Sequence, residues 1–385
     1  MSKIYDFDRP FSRENTESVK WDMREKFGNA AALPMWVADM DFPTSRHIIE
    51  GLTARVAHGA FGYSMGEDED KKATVSWYAR RHGCAFTAED ILFSPGVVDS
   101  IYHILKACRK EGDKAVIQSP VYGPFRAMSE KAKMTVIENP LINENGYWKM
   151  DIPGLEDAFK QGAKTLILCS PHNPVGRVWT KEELTEVVRL CDRYGVLLIS
   201  DEIHADFELG GSRHTCILSL RENNTVQLIS ATKSFNLAAL RHSAVICKDA
   251  ALREKIKNQL SEVMADVNLF GRLATRLAYE GGEEWLDEML VYLTEGRDIL
   301  EKGIRDTGIL VPSHVEGTYL MWVDCRALGM KNDALKEYFI REIGIIPNDG
   351  LFFGACADGF IRLNFATSHD NIRKAVSLIR KKVHA

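Results

Sequence analysis

Lys233 stands in the segment Ser230-Ala231-Thr232-Lys233-Ser234-Phe235-Asn236, directly after the apolar run Val226-Gln227-Leu228-Ile229. A lysine placed where a buried strand opens into a small-residue turn has its stem held in the interior and its amine aimed into a crevice. Desolvation lowers the pKa of such an amine, and lysine is the side chain that forms a Schiff base with a carbonyl compound. The alternative for Lys233 taken alone is a side chain that snorkels from a strand end to solvent. The residues that follow the other apolar runs bear on that choice. Behind Ile91-Leu92-Phe93 come Gly96, Val97 and Val98 at a helix start, where exposed backbone N–H groups suit a phosphate. Tyr122 follows Ile117 with an aromatic face, and Asn173 follows Leu168 with an amide. Asp201 and His204 follow Ile199 with a carboxylate and an imidazole, and Arg241 lies eight residues beyond Lys233. Each has a plain structural use as well: Asn-Pro is a common turn, an aspartate at a strand end caps a helix, and a lone tyrosine or arginine decorates a rim.

The residues meet only if those runs are strands of one sheet. From about 90 to 247 the chain alternates short apolar runs with amphipathic helices, the latter near 98–110, 122–132 and 180–194. Runs rich in Val and Ile without strict polar alternation are those of a sheet buried on both faces. The pattern predicts an α/β fold with a mainly parallel, mixed sheet flanked by helices. Ligands of such sheets bind beyond the carboxyl ends of the strands, which is where the residues above fall. A helix is predicted from Pro43-Thr44-Ser45 with Ile48, Ile49, Leu52 and Val56 on one face. Residues 249–308 read as helical; a strand (318–323), a helix (332–342), a strand (360–365) and a closing helix (369–383) then read as a smaller α+β unit. Residues 1–43 are irregular and broken by prolines. The expected division is a large domain over 44–288 and a small one made of 1–43 with 289–385.

Composition narrows the class. At 385 residues, two to three domains is the soft expectation. Hydrophobic residues make up 45% and charged residues 27%, with interspersed charge of net -5, which argues against nucleic acid or an anionic membrane as partner. No apolar stretch reaches the length of a membrane span, and the acidic start of the chain lacks the apolar core of a signal peptide. The eight cysteines are scattered without a C-x-x-C pair, as expected for small buried hydrophobes in a reducing cytoplasm rather than a zinc site or disulfide frame.

An aldehyde-reactive amine, a carboxylate, an amide, an aromatic plate and a phosphate cradle at one sheet edge are what pyridoxal 5′-phosphate needs, with its aldehyde, ring nitrogen, 3-oxygen, flat ring and phosphate. From about residue 10 onward the chain resembles the fold-type I pyridoxal-phosphate enzymes, the aspartate aminotransferase superfamily. Within them it is most similar to the cystathionine β-lyase-like branch known as MalY/PatB. The segments that carry the likeness include Leu33-Pro34-Met35-Trp36-Val37-Ala38-Asp39-Met40-Asp41-Phe42, Asp201-Glu202-Ile203-His204-Ala205-Asp206, Ser230 through Leu237 and Glu316-Gly317-Thr318-Tyr319-Leu320.

The resemblance implies roles. Lys233 would carry the cofactor as a Schiff base and later move the Cα proton; Asp201 would pair with the pyridine nitrogen; Asn173 would bond the 3-oxygen; Tyr122 would stack on the ring. Gly96, Val97, Val98, Ser230 and Arg241 would hold the phosphate, joined by Tyr63 from the neighbouring subunit of a homodimer. Arg362, in Phe360-Ile361-Arg362-Leu363-Asn364, would grip the substrate α-carboxylate, where an arginine in a strand could otherwise serve only packing and a salt bridge. Trp36 and the loop Val37-Ala38-Asp39 would border the substrate from the N-terminal arm, and Tyr63 would contact it as well. His204 stands where transaminases of this superfamily have tyrosine, which favours a lyase, whereas Arg241 is the transaminase-like residue at its position. The loop Pro347–Gly354 is bulkier than in the branch and bears on the substrate pocket. The expected activity is a cytoplasmic carbon–sulfur β-lyase acting on L-cystathionine or other S-substituted L-cysteines. The alternatives are an aminotransferase using the same residues and a non-catalytic regulatory protein on the same scaffold.

Overall fold

The structure is a computed structural model that describes residues 4–383. Residues 1–3 and 384–385, the outermost parts of the sequence-defined small domain and of the acidic N-terminal segment, lie outside the described residues.

The apolar runs form one seven-stranded sheet in the order Ile91–Ser94, Ser243–Ile246, Thr225–Ile229, Leu197–Asp201, Ala163–Cys169, Lys114–Ile117 and Thr135–Glu138. All pairings are parallel except those of Ser243–Ile246, which runs antiparallel to both neighbours. Strand residues alternate between two cores. Ala115, Ile117, Ile167, Leu197 and Ile199 pack with the helices Val97–Cys108, Pro124–Lys131 and Ala250–Glu262. Val116, Leu166, Leu168 and Leu198 pack on the other face, with helices that include Lys181–Tyr194 and Leu269–Gly281. Burial on both faces is why these strands read as continuous apolar runs. The register aligns Cys169 with Asp201 and Asp201 with Leu228, so the ends of the three central strands form one edge.

The C-terminal part builds a four-stranded antiparallel sheet from Val311–Pro312, Leu320–Asp324, Phe360–Asn364 and Asn348–Asp349. Its closing helix His369–Val383 packs along the long helix Glu283–Arg305. The N-terminal arm joins this unit: Leu33–Pro34 pairs in parallel with Ile345–Ile346. The sequence boundary at 288/289 falls inside the continuous helix Glu283–Arg305.

Some elements differ from their expectation. Ile49 and Val56 were expected to share the buried face of their helix, Arg46–His58, but are 44% and 55% exposed, while Ile48 is buried. Ile48 and Leu52 are four residues apart and stack on one face; from Ile48, Ile49 sits about 100° and Val56 about 80° round the helix, and both face outward. The helix expected over 332–342 is α-helical over Asn332–Glu337 and widens to a π-helix over Tyr338–Ile343. A helix without a counterpart in the sequence pattern spans Glu67–His82; its first turn holds Glu67, Asp68, Glu69 and Asp70 and its last holds Arg80, Arg81 and His82. That placement complements the helix dipole.

Candidate active site

Strand ends, a helix start and the N-terminal arm enclose a cleft of about 600 Å³. Twelve of the thirteen sequence-derived candidates line it: Lys233, Asp201, Asn173, His204, Tyr122, Gly96, Val97, Val98, Ser230, Arg241, Arg362 and Trp36. Tyr63 does not. Its side chain lies fully exposed in an irregular stretch outside the cleft of its own chain.

Lys233 sits on the short helix Ala231–Ser234, which starts immediately after the strand Thr225–Ile229. Ser230 caps that helix, its Oγ accepting from the Thr232 N–H at 3.1 Å and donating to the His242 carbonyl at 2.6 Å. The Ser230 hydroxyl is thus spent largely on local structure. Lys233 Nζ donates to the Ala38 carbonyl at 2.7 Å, and Tyr319 Oη donates to the same oxygen at 2.8 Å. Burial, reinforced by the positive charge of Arg362, depresses the Lys233 amine to about 8. A substantial neutral fraction therefore exists near neutrality.

Asp201, the last residue of its strand, accepts from the Ile203 N–H at 3.0 Å. Burial pushes its carboxyl up to about 7, with Glu202 adding to the rise and the Ile203 bond and Lys233 opposing it. No cationic side chain pairs with it among the described residues, so this carboxylate lacks a positive partner. His204 is buried against Phe207 and Tyr319, and burial, with Lys233 and Arg362 adding to it, holds its imidazole neutral.

Arg362 enters from the strand Phe360–Asn364. Its Nη1 donates to Asn173 Oδ1 at 3.1 Å and its Nη2 to the Trp36 carbonyl at 2.8 Å, while its buried Nε has no partner. The guanidinium lies over the Phe353 ring at 4.9 Å, and burial lowers it to about 10. Among the described residues no carboxylate pairs with it, which removes the salt-bridge role open to an arginine in a strand. Arg241 reaches outward instead, donating to Asp99 at 2.9 Å with its side chain 63% exposed.

The donor set fits pyridoxal phosphate. A depressed amine matches an aldehyde, an unpaired buried carboxylate matches a protonated ring nitrogen, and a helix N-terminus at Gly96–Val98 with Arg241 beside it matches a phosphate. The buried guanidinium without a counter-ion matches the carboxylate of an amino acid.

Val37 and Ala38 of the arm, and Asn348 and Phe352 of the bulky loop Pro347–Gly354, line the cleft as well. Sequence reasoning missed Thr232 and His242, which also line it. Thr232 lies inside the lysine motif, which is the signal that could have found it.

The fold and this cleft define a member of a large enzyme class: the chain belongs to the aminotransferase class I and II family, which it matches over residues 39–379. It is 37% identical to the cystathionine beta-lyase PatB of Bacillus subtilis (strain 168), over 96% of this chain and 98% of that protein. It is 30% identical to the protein MalY of Escherichia coli (strain K12), over 99% and 100% of the two chains. It also superposes on cystalysin from Treponema denticola, which contains a pyridoxal 5′-phosphate cofactor, with a TM-score of 0.94 and 31% identity over 98% of each chain.

Proposed function

We propose that the chain is a pyridoxal-phosphate-dependent carbon–sulfur β-lyase that cleaves L-cystathionine or other S-substituted L-cysteines to a thiol, pyruvate and ammonia. The observation that carries this reading is the convergence of Lys233, Asp201 and Arg362 in one cleft, none of them ion-paired to protein among the described residues. Full-length likeness to a cystathionine beta-lyase supports the reaction type. Pyridoxal phosphate, when bound, supplies an aldehyde carbon and an electron-withdrawing ring that makes a Cα proton removable.

The chain's own residues do the rest. Lys233 would hold the cofactor by its amine, Asp201 its ring nitrogen, Tyr122 its ring face and Asn173 its 3-oxygen. Gly96, Val97, Val98, Ser230 and Arg241 of the same chain, joined by Tyr63 of the partner subunit, would hold the phosphate. Arg362 binds the substrate α-carboxylate through a two-pronged, charge-assisted contact and so turns the Cα–H bond toward Lys233. The free Lys233 amine takes the Cα proton. The electron pair left behind becomes a Cα–Cβ double bond, and the Cβ–S bond breaks with its pair on sulfur, giving a thiolate. Released 2-aminoacrylate then hydrolyses to pyruvate and ammonia. His204, neutral and buried, adds no cation next to Lys233 and so does not oppose the proton's uptake.

The working unit is a homodimer, because Tyr63 acquires a role only against a second copy. The compartment is the cytoplasm, a reading supported by eight cysteines that are all free. No helix of the described residues is long and apolar enough to cross a membrane. The test is product formation from L-cystathionine without an oxo-acid acceptor. A lyase releases thiol, pyruvate and ammonia; a strict need for an acceptor would identify an aminotransferase.

A further inference from the structure

A second chamber of about 510 Å³ adjoins the cleft, and Tyr122 and Phe352 line both. Their rings meet edge-on at 5.9 Å and form the partition. From there an aromatic wall runs back to the carboxylate grip: Phe352 packs edge-on against Phe353 at 5.1 Å, and Phe353 lies beneath Arg362. A substrate held by Arg362 therefore has this wall leading from its Cα toward the chamber. Beyond the partition the walls are mainly apolar, formed by Ile117, Val121, Leu351 and Phe353. Among the described residues the only charges lining the chamber, Arg126 and Glu138, are paired with each other. Glu138 also accepts from Ser119 Oγ at 2.7 Å, and Arg126 from its second nitrogen reaches Glu130 at 3.3 Å. The chamber thus offers apolar surface and no unmatched charge, so an ionic end would lose its hydration without gaining a partner.

The geometry points to this chamber as a subsite for bulky uncharged S-substituents, aromatic thioethers above all, and not for the charged distal end of L-cystathionine. The inference rests on the lyase reading above. Phe352 is 45% exposed, so a modest ring rotation opens the partition without disturbing the buried core.

Two probes separate the subsite from the reaction: S-methyl-L-cysteine, whose substituent is a single carbon, and S-benzyl-L-cysteine, whose substituent is an aromatic ring. Ala355 and Leu351 line the chamber but not the cleft, and both are solvent-exposed, so Ala355→Trp and Leu351→Trp fill the chamber without touching the core. With thiol release measured on the holoenzyme, either change lowers kcat/KM for S-benzyl-L-cysteine by about tenfold or more and leaves S-methyl-L-cysteine within about twofold. If both substrates fall together, or neither falls, in both variants, the chamber is not the subsite and the lyase reading stands. If the unmodified enzyme releases thiol from neither compound nor from L-cystathionine, the lyase reading fails first.

Discussion

At the scale of single residues, three buried ionisable groups lack the partners that burial normally demands. Burial lowers Lys233 to about 8 and raises Asp201 to about 7, and Arg362 keeps an unpartnered Nε. A protein leaves such groups unpaired at sites where a ligand completes them. Capture of pyridoxal phosphate by apoprotein requires the neutral amine, so its rate should rise about tenfold per pH unit below pH 8 and level off above it. Stopped-flow absorbance would follow this. Asp201 has the opposite consequence for stability. Its folded pKa lies above the ordinary carboxylate value, so the apoprotein binds this proton more tightly than the unfolded chain does. Apoprotein stability should therefore fall as pH rises from about 4 to about 7, and Asp201→Asn should flatten that slope in denaturant titrations. Arg362→Lys keeps the charge but loses the fork, and kcat/KM for any amino-acid substrate should drop by roughly 30- to 1000-fold. Arg362 became a candidate only through the family resemblance of its segment, whereas Lys233 and Asp201 were legible in the sequence because each follows or ends a buried apolar run at the same sheet edge. The Ala38 carbonyl that holds the Lys233 amine was not, because a backbone acceptor leaves no trace in side-chain identity.

At the scale of elements, the lysine is aimed by what lies behind it. Ser234, its neighbour, donates to Asp206 Oδ2 at 2.5 Å. Asp206 also accepts from Trp77 Nε1 at 3.0 Å and contacts His82 Nε2 at 2.9 Å. Burial alone would raise the Asp206 carboxyl, but His82, Ser234 and Arg81 outweigh it and hold it below the usual range. The helix Glu67–His82 thereby braces the helix Ala231–Ser234. Asp206→Ala strands several buried donors and should cost about 3 kcal/mol of stability, read as a lowered denaturation midpoint. The front wall is braced as well: Asn364 Nδ2 donates to the carbonyls of Val37 and Asp39, and buried Lys20 pairs with Asp41 at 2.8 Å. The strands were readable because burial on both faces writes an unbroken apolar run. The helix Glu67–His82 was not, because its polar composition masks a buried stripe of Ala73, Thr74, Trp77 and Tyr78. The arm was legible only as segments of family likeness, since its order comes from long-range bonds that no local pattern encodes.

At the scale of the whole molecule, two sheets and an N-terminal arm close on one cleft, and Tyr63 is fully exposed and outside its lining. A shared site predicts complementation between two inactive variants. Lys233→Ala and Tyr63→Ala chains, unfolded together and refolded in equal amounts, should regain about one quarter of wild-type activity. Half of the dimers are then mixed, and each has one intact site. Monomers with self-contained sites would regain nothing. Sedimentation analysis of the same mixture reports the dimer directly.

The central claim is that Lys233 carries out β-elimination in this cleft. It is tested most directly by incubating L-cystathionine with the wild-type holoenzyme and with Lys233→Ala, without any oxo-acid, and measuring thiol and pyruvate together. The wild type should form the two in equal amounts, and the variant should be slower by at least about a thousandfold. Turnover that survives Lys233→Ala, or wild-type turnover that begins only when an oxo-acid is added, would contradict it.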